Sequence, residues 1–528
     1  MTSIVITESK VRWWREKSVW ILLLLGFSAG MPYFLIFGTL SLWLFEAGVE
    51  RSAVTYFSWA VLGYSFKFVW APLVDRLPLP LLTKLLGRRR GWLLLAQVAV
   101  IFSIVLMSSI DPASSLNWMA GGAVLLGFAA ATQDIVIDAY RIEAAEPRLQ
   151  AMLSSTYVAG YRTGMIVAGA AALALAEELG SSQGAYSYAA WQQTYLIMAG
   201  IMGIGILTTL LIREPNTQAS VGTQYPTRDY TSFFGVFLLS IVALILVYSF
   251  FPALPTLFSE LAQKVFAFFY AVLRMILAIF AAYTTARICV KFGLINADLV
   301  REGYADPILD FLKRYGKLAI WVLLLVGLYR ISDIVMGVIT NVFYAEMGYT
   351  KKEIASITKV FGVLMTIFGA FMGGLLALRI GVMRSLMLGA VLVAVTNLLF
   401  MWLAQVSGAH TYLEFSIPLF FTTIDIALPK ELFIVIIIDN LAQGFAIAAF
   451  IGWLSALTNV SFTATQYAIF SSLMTLVPKL IGGYSGTLVE SFGYESFFLF
   501  ASALGVPVIG LIYFLQGRLE FSKKLSIT

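Results

Sequence analysis

The apolar positions of this chain fall in long blocks separated by short polar breaks. A transmembrane helix needs roughly 20 mostly apolar residues. Fourteen segments meet that requirement: 19–47, 54–75, 92–110, 117–143, 150–176, 190–212, 232–251, 264–290, 317–346, 354–378, 382–405, 431–460, 466–489 and 494–517. They are numbered here as spans one to fourteen. Short polar or Pro/Gly loops separate most of them, and the longest interruptions lie at 213–231, 291–316 and 406–430. Span one is too long for a cleavable signal peptide, and no small-residue cleavage site precedes span two.

Composition agrees with lipid as the main solvent. Of 528 residues, 60% are apolar and 12% charged, against about 25% charged in soluble domains. A single cysteine, Cys289, excludes an intrachain disulfide or a thiolate metal site. A single histidine, His410, in an expected outside loop, leaves little room for zinc or His-dependent catalysis. No metal and no cofactor are therefore expected. The net charge of +6 is a topology signal rather than a nucleic-acid signal. With the N-terminus in the cytoplasm, 24 of the 35 Lys and Arg residues fall on the cytoplasmic side, 5 outside and 6 within spans. By the positive-inside rule both termini are cytoplasmic. Within that pattern Gly87-Arg88-Arg89-Arg90 reads as an orientation anchor and Asp75-Arg76 as a capping or gating contact. If this loop moves in function, Asp75, Arg76, Arg88, Arg89 and Arg90 are its gating candidates.

The chain repeats itself. Leu22-Leu23-Leu24-Leu25-Gly26 of span one matches Leu323-Leu324-Leu325-Val326-Gly327 of span nine. Spans five and thirteen match at an offset of 317, Ser154-Ser155 with Ser471-Ser472 and Arg162 with Lys479. The expected organisation is a cytoplasmic tail (1–18), a six-helix bundle (19–212), a linker with a two-helix hairpin (213–316), a second six-helix bundle (317–517) and a short cytoplasmic tail (518–528). Parallel halves of six are the signature of the major facilitator architecture, whose substrate site lies near the bilayer midplane between the halves. An all-α integral membrane fold of that type is the expectation.

Charges inside a bilayer are costly, so they are functional candidates. The basic ones are Lys67, Arg162, Arg274, Arg330, Lys359 and Lys479; the deep acids are Asp134, Asp138, Asp333 and Asp439. Asp134 and Asp138 lie four apart on one helical face, with Arg141 one turn further along. Arg330 and Asp333 share a face of span nine. Lys359 is near enough to a span end to snorkel, and Arg274 belongs to the hairpin. Arg and Lys in a cavity bind carboxylates or phosphates, and Tyr161 and Tyr329 beside Arg162 and Arg330 stack on sugars or pack on lipid. Burial and a neighbouring carboxylate both oppose ionisation, which makes the pair Asp134/Asp138 a physically sensible proton site. Gly26-xxx-Gly30, Gly160-xxx-Gly164, Gly369-xxx-Gly373 and Gly482-xxx-Gly486 read as close helix-packing faces.

Several stretches resemble the AmpG-type muropeptide permeases. These are Leu25-Gly26-Phe27-Ser28-Ala29-Gly30-Met31-Pro32, Phe66-Lys67-Phe68-Val69-Trp70-Ala71-Pro72-Leu73-Val74-Asp75-Arg76 and Gly87-Arg88-Arg89-Arg90-Gly91-Trp92. Ala131-Thr132-Gln133-Asp134-Ile135-Val136-Ile137-Asp138-Ala139, Gly160-Tyr161-Arg162-Thr163-Gly164-Met165 and Ser461-Phe462-Thr463-Ala464-Thr465-Gln466 complete the set. The resemblance covers both halves. It implies a monomeric, multi-pass permease of the bacterial inner membrane that imports N-acetylglucosaminyl-anhydro-N-acetylmuramyl peptides with the proton gradient. Such import serves peptidoglycan recycling and, in some bacteria, β-lactamase induction. Carried onto this chain, it singles out Lys67, Gln133, Asp134, Asp138 and Arg162. The hairpin at 232–290 is a departure, since the family places its additional helices after the twelfth core span.

Other readings stay open on the residues alone. A facilitator for oligopeptides, siderophores, acyl-CoA or drugs has the same layout. Span one lacks the ExxER cluster of proton-coupled oligopeptide transporters, and span five lacks the proline of drug–proton antiporters. A membrane-embedded transferase is disfavoured by the single His410 and the absence of a DxD-like loop.

Overall fold

The computed structural model describes residues 16–49, 62–146, 149–182, 185–215, 225–251, 260–350, 353–354, 356–406, 411–419, 422–482 and 485–525. His410 lies outside them. Among the described residues, thirteen helices are long and apolar enough to cross a membrane. They correspond to every expected span except the second. Of span two, residues 54–61 lie outside the described set. The remainder is broken into Leu62–Phe66, a tight turn Lys67–Val69 and Ala71–Arg76.

Two compact units emerge. One comprises 1–71, 79–217 and 315–528, the other 72–78 and 218–314. In the larger unit the first half has a continuous apolar core in which Trp43 stacks on Trp191 at 5.6 Å between ring centres. Glu46 accepts hydrogen bonds from Trp191 Nε1 (2.9 Å) and Ser181 Oγ (2.7 Å), satisfying a carboxylate at the end of span one.

Span one runs as Lys17–Phe34, a widened π-turn Leu35–Thr39, and Leu40–Glu46. A π-turn frees backbone groups, and here side chains meet them: Tyr195 Oη donates to the Leu35 carbonyl at 3.0 Å. Span five has its own π-turn, Val167–Ala171, and Thr39 Oγ1 donates to the Ala168 carbonyl within it.

Glycines explain why spans one and five approach so closely. A Cβ at Gly26 or Gly30 would lie 2.3 or 2.0 Å from the carbonyl oxygens of Tyr157 and Tyr161. Reciprocally, one at Gly160 or Gly164 would lie 2.0 or 2.2 Å from those of Leu23 and Phe27. Gly369 and Gly373 of span ten meet span twelve in the same way, at the Leu441 and Phe445 carbonyls. Gly486 faces open space instead. A Gly30→Ala variant is expected to lose about 1–3 kcal/mol through overpacking. The measurement is the thermal midpoint in detergent, and an unchanged midpoint would contradict the close approach.

The interruption at 406–430 has regular structure of its own. It holds an antiparallel hairpin, Tyr412–Leu419 paired with Thr422–Pro429. The β-branched and alternating residues of Thr422-Thr423-Ile424-Asp425-Ile426 favour a strand, and their period of two makes no continuous apolar block.

In the smaller unit, helices Thr227–Phe250 and Glu260–Lys291 pack on each other as a hairpin. Their apolar faces, including Leu238, Val242, Ile276 and Phe280, are exposed, as suits contact with lipid. Arg274 is satisfied inside the hairpin: Nε donates to the Tyr248 carbonyl at 2.5 Å and the guanidinium lies 3.9 Å from the Tyr248 ring centre. Glu302 joins the segment 72–78 to the linker, accepting from Arg76 Nη1 (3.3 Å) and Tyr225 Oη (2.7 Å). Burial and the Glu302 hydrogen bond push the Tyr225 phenol up to about 12, so it stays a donor near neutral pH. Asp75 is buried in the same segment.

Candidate functional site

Helix Leu116–Glu143 carries span four, and the turns from Ala129 to Ile142 are buried on all sides. That burial comes from small residues, Ala129-Ala130-Ala131, which let neighbouring helices close around the polar positions that follow. Asp138 is gripped by two cations. Lys67 Nζ lies 3.4 Å from Oδ2 and Arg141 Nη2 lies 3.0 Å from Oδ1. Lys67 reaches it because span two breaks into a tight turn there, and Trp70 Nε1 pins that turn to Thr132 Oγ1 at 3.1 Å.

One turn away the situation reverses. Asp134 Oδ1 and both amide atoms of Gln133 are buried without hydrogen-bond partners, as is the hydroxyl of Tyr64. Lys67, Tyr64, Tyr157 and Tyr161 lie within electrostatic range of Asp134. Tyr33 bridges the group, with ring centres 5.9 Å from Tyr64 and 6.4 Å from Tyr161. Buried polar groups are nearly always paired, so a cluster of orphaned ones marks a place built for something else.

A cationic cluster gathers from both halves beside it. Arg162 of span five feels Arg330 of span nine, and Arg330 in turn acts on Lys479 of span thirteen. Arg330 pairs with Asp333, Nη2 to Oδ2 at 2.5 Å, and Lys479 Nζ donates to Ser65 Oγ at 3.4 Å. Three cations thus share one ion-paired carboxylate, an arrangement suited to an anionic ligand. Tyr329 is turned into the second half: its ring stacks on Phe450 at 4.3 Å and its hydroxyl donates to the Leu386 carbonyl.

The three arginines of 88–90 do different things. Gly87 has φ +88°, and after it the Glu214 carboxylate accepts from the backbone N–H of Arg89 (2.8 Å) and Arg90 (3.0 Å), capping the Arg88–Ser108 helix. Arg90 caps the end of span six through the Thr209 and Leu210 carbonyls. Arg89, 1% exposed, crosses to the other half: Nη2 lies 2.5 Å from Glu143 Oε1 and 2.8 Å from Thr463 Oγ1. Thr463 Oγ1 also donates to Glu143. Arg141 makes a second crossing, with Nη1 on Ser154 Oγ (2.6 Å) and Ser455 Oγ (3.0 Å). Small residues complete the closure. A Cβ at Gly374 would lie 2.1 Å from Ser155 Oγ, and one at Gly452 would lie 2.9 Å from Ala151 Cα. The two halves are therefore joined at the helix ends that carry the basic loops.

Sequence reasoning missed Glu143, Thr463 and Ser455. Glu143 lies 54 positions from Arg89, Thr463 lies 320 from Glu143 and Ser455 lies 314 from Arg141, and no local spacing signals them. Tyr33 and Tyr64 were also missed, although each sits on a span that carries a quoted motif.

This fold and this polar site between two helical halves define a multi-pass membrane transporter, not an enzyme. A family model described as Major Facilitator Superfamily matches residues 22–300, and the chain belongs to that superfamily. Within it the chain is similar to AmpG-type permeases. It is 29% identical to the anhydromuropeptide permease of Escherichia coli K12 over 95% of this chain and 80% of that one. It is 28% identical to putative transporter AmpG 4 of Rickettsia conorii over 96% and 98%. Among solved structures, the proton:xylose symporter XylE shares the fold, with a TM-score of 0.57, 12% identity and 94% coverage of both chains. The fucose:proton symporter FucP of E. coli does so at a TM-score of 0.55, 11% identity and coverage of 94% of this chain and 97% of that one.

Proposed function

We propose that this chain is a proton-coupled permease of the bacterial inner membrane, with both termini in the cytoplasm. It imports N-acetylglucosaminyl-1,6-anhydro-N-acetylmuramyl peptides for peptidoglycan recycling, and through that cargo bears on β-lactamase induction. The observation that carries the reading is the meeting of Arg162, Arg330 and Lys479 beside the unpartnered Gln133, Asp134 and Tyr64. The cargo has matching chemistry: carboxylates on its peptide for the cations, and a disaccharide for the amide and the tyrosines. The name of the E. coli relative supports the same cargo.

On this reading the basic loops face the cytoplasm, and the conformation seen is sealed on that side by Arg89–Glu143–Thr463 and by Arg141. Asp134 and Asp138 take part in proton coupling. Inward proton movement draws on the membrane potential, about 2.3 kcal/mol per charge per 100 mV. The protein works as a monomer in the bilayer, and the proton gradient replaces any cofactor.

The test is uptake of anhydromuropeptide by proteoliposomes under an imposed pH gradient. Accumulation should follow the gradient and collapse with uncoupler; transport indifferent to both would overturn the coupling. Arg162→Ala should raise the half-saturating concentration about 10- to 100-fold, the worth of a hydrogen bond to a charged group. Unchanged affinity would remove Arg162 from the substrate site.

A further inference from the structure

The second half holds a buried carboxylate that the proposed transport cycle does not use. Asp439, 2% exposed, sits in the middle of the Lys430–Leu457 helix. It accepts hydrogen bonds from two neutral donors, Thr396 Oγ1 at 3.1 Å and Gln443 Nε2 at 2.7 Å. Among the described residues no Lys or Arg pairs with it.

Among the described residues the surroundings offer no compensating charge. From span nine the Asp333 carboxylate and the Tyr344 phenol act on or feel Asp439, and Arg330 is already engaged by Asp333. Of the basic residues beside spans ten and eleven, Arg379 and Arg384 lie at helix ends, and the side chain of Lys359 lies outside the described set. In span five, Arg162 has Arg330 and Asp333 as its charged neighbours, and in span thirteen Lys479 has Arg330. On its own helix the nearest acid, Glu431, lies in the first turn.

A carboxylate with this burial has three ways to exist in a bilayer: paired with a cation, ligated to an ion, or neutral. Among the described residues the first is not met. The second is ill served, because the immediate shell offers one hydroxyl oxygen and a donating amide nitrogen, where a metal ion needs several oxygens. A route for a proton exists nearby. Gln443 lines a cavity of about 20 Å³ together with Arg330, Ser332 and Asp333, enough for about one water. We propose that Asp439 is a second proton-binding group, in the half opposite Asp134, and that it carries its proton in the conformation seen here. The proton exchanges through the cavity beside Gln443 when the Arg330–Asp333 pair opens. The role in coupling rests on the transport reading above; the protonation itself does not.

Infrared difference spectroscopy on the purified full-length protein tests it, comparing wild type, Asp439→Asn and Asp439→Glu at neutral pH. The protonated-carboxyl C=O band should be present in wild type, lost in Asp439→Asn and restored at a shifted frequency in Asp439→Glu. A band unchanged in Asp439→Asn overturns the proposal, as does an ionised carboxylate signal assigned to Asp439. A signal that changes with sodium at fixed pH overturns it in favour of a metal cation. None of these readings requires transport, so failure of the cargo or the coupling shows separately. In proteoliposomes, the accumulation of cargo per pH unit should fall in Asp439→Asn by the factor one proton contributes, about tenfold. A wild-type slope removes Asp439 from coupling.

Discussion

Replacing Arg141 with alanine is expected to lower uptake at least about 100-fold and to cost about 3–5 kcal/mol of stability, the penalty for breaking a buried ion pair from one side. The side chain is fully buried and holds Asp138, Ser154 and Ser455 at once. Its guanidinium also lies 5.1 Å from the ring centre of Tyr467 and 5.9 Å from that of Tyr157. Removing it leaves a void at the junction of the halves and strips Asp138 to a single cation, Lys67, at 3.4 Å. Arg141→Lys separates charge from geometry: it restores the charge beside Asp138, but an ammonium cannot span three acceptors as the planar fork does. Its uptake should fall between wild type and Arg141→Ala. Transport in proteoliposomes and thermal unfolding in detergent give the two readouts. Wild-type behaviour of Arg141→Ala in both would show that the crossing carries no weight.

The sequence made the membrane framework legible because lipid imposes a simple rule, one apolar block per crossing. It also exposed a close helix contact, since Gly26-xxx-Gly30 and Gly160-xxx-Gly164 face each other in the structure. The costly charges gather for a physical reason: they are affordable only where they meet. Lys67 meets Asp138, and Arg330 meets Asp333. What stayed hidden depends on contacts between distant segments. Nothing in Arg88-Arg89-Arg90 distinguishes the arginine that caps a helix from the one that locks two halves, because the distinction lies in Glu143 and Thr463. The unpartnered state of Gln133 and the neutral partners of Asp439 are likewise properties of packing. The hairpin 412–429 was hidden differently, since its two eight-residue strands are far shorter than a membrane crossing and alternate in polarity.

The two carboxylates of span four look equivalent in the sequence, four residues apart on one face, but their surroundings make them different. Asp138 is held by two cations, so its negative charge is compensated in the conformation seen. Asp134 has an orphaned oxygen and no ion pair among the described residues. Asp134→Asn keeps size and shape while removing the titratable carboxyl, and it strands no cation. It is expected to fold and to exchange cargo across the membrane at near wild-type rate when no gradient is present. Its accumulation under an imposed pH gradient should fall. A gradient of one pH unit supplies about 1.4 kcal/mol per proton, a tenfold accumulation, and the variant should forfeit that factor. Asp138→Asn, by contrast, leaves Lys67 and Arg141 facing a neutral amide in a buried site, and so should lose exchange and stability together. Counterflow and gradient-driven uptake, measured side by side, separate the two cases. If Asp134→Asn accumulates cargo like wild type, or if the two variants behave alike, the different surroundings of the carboxylates do not assign them different tasks.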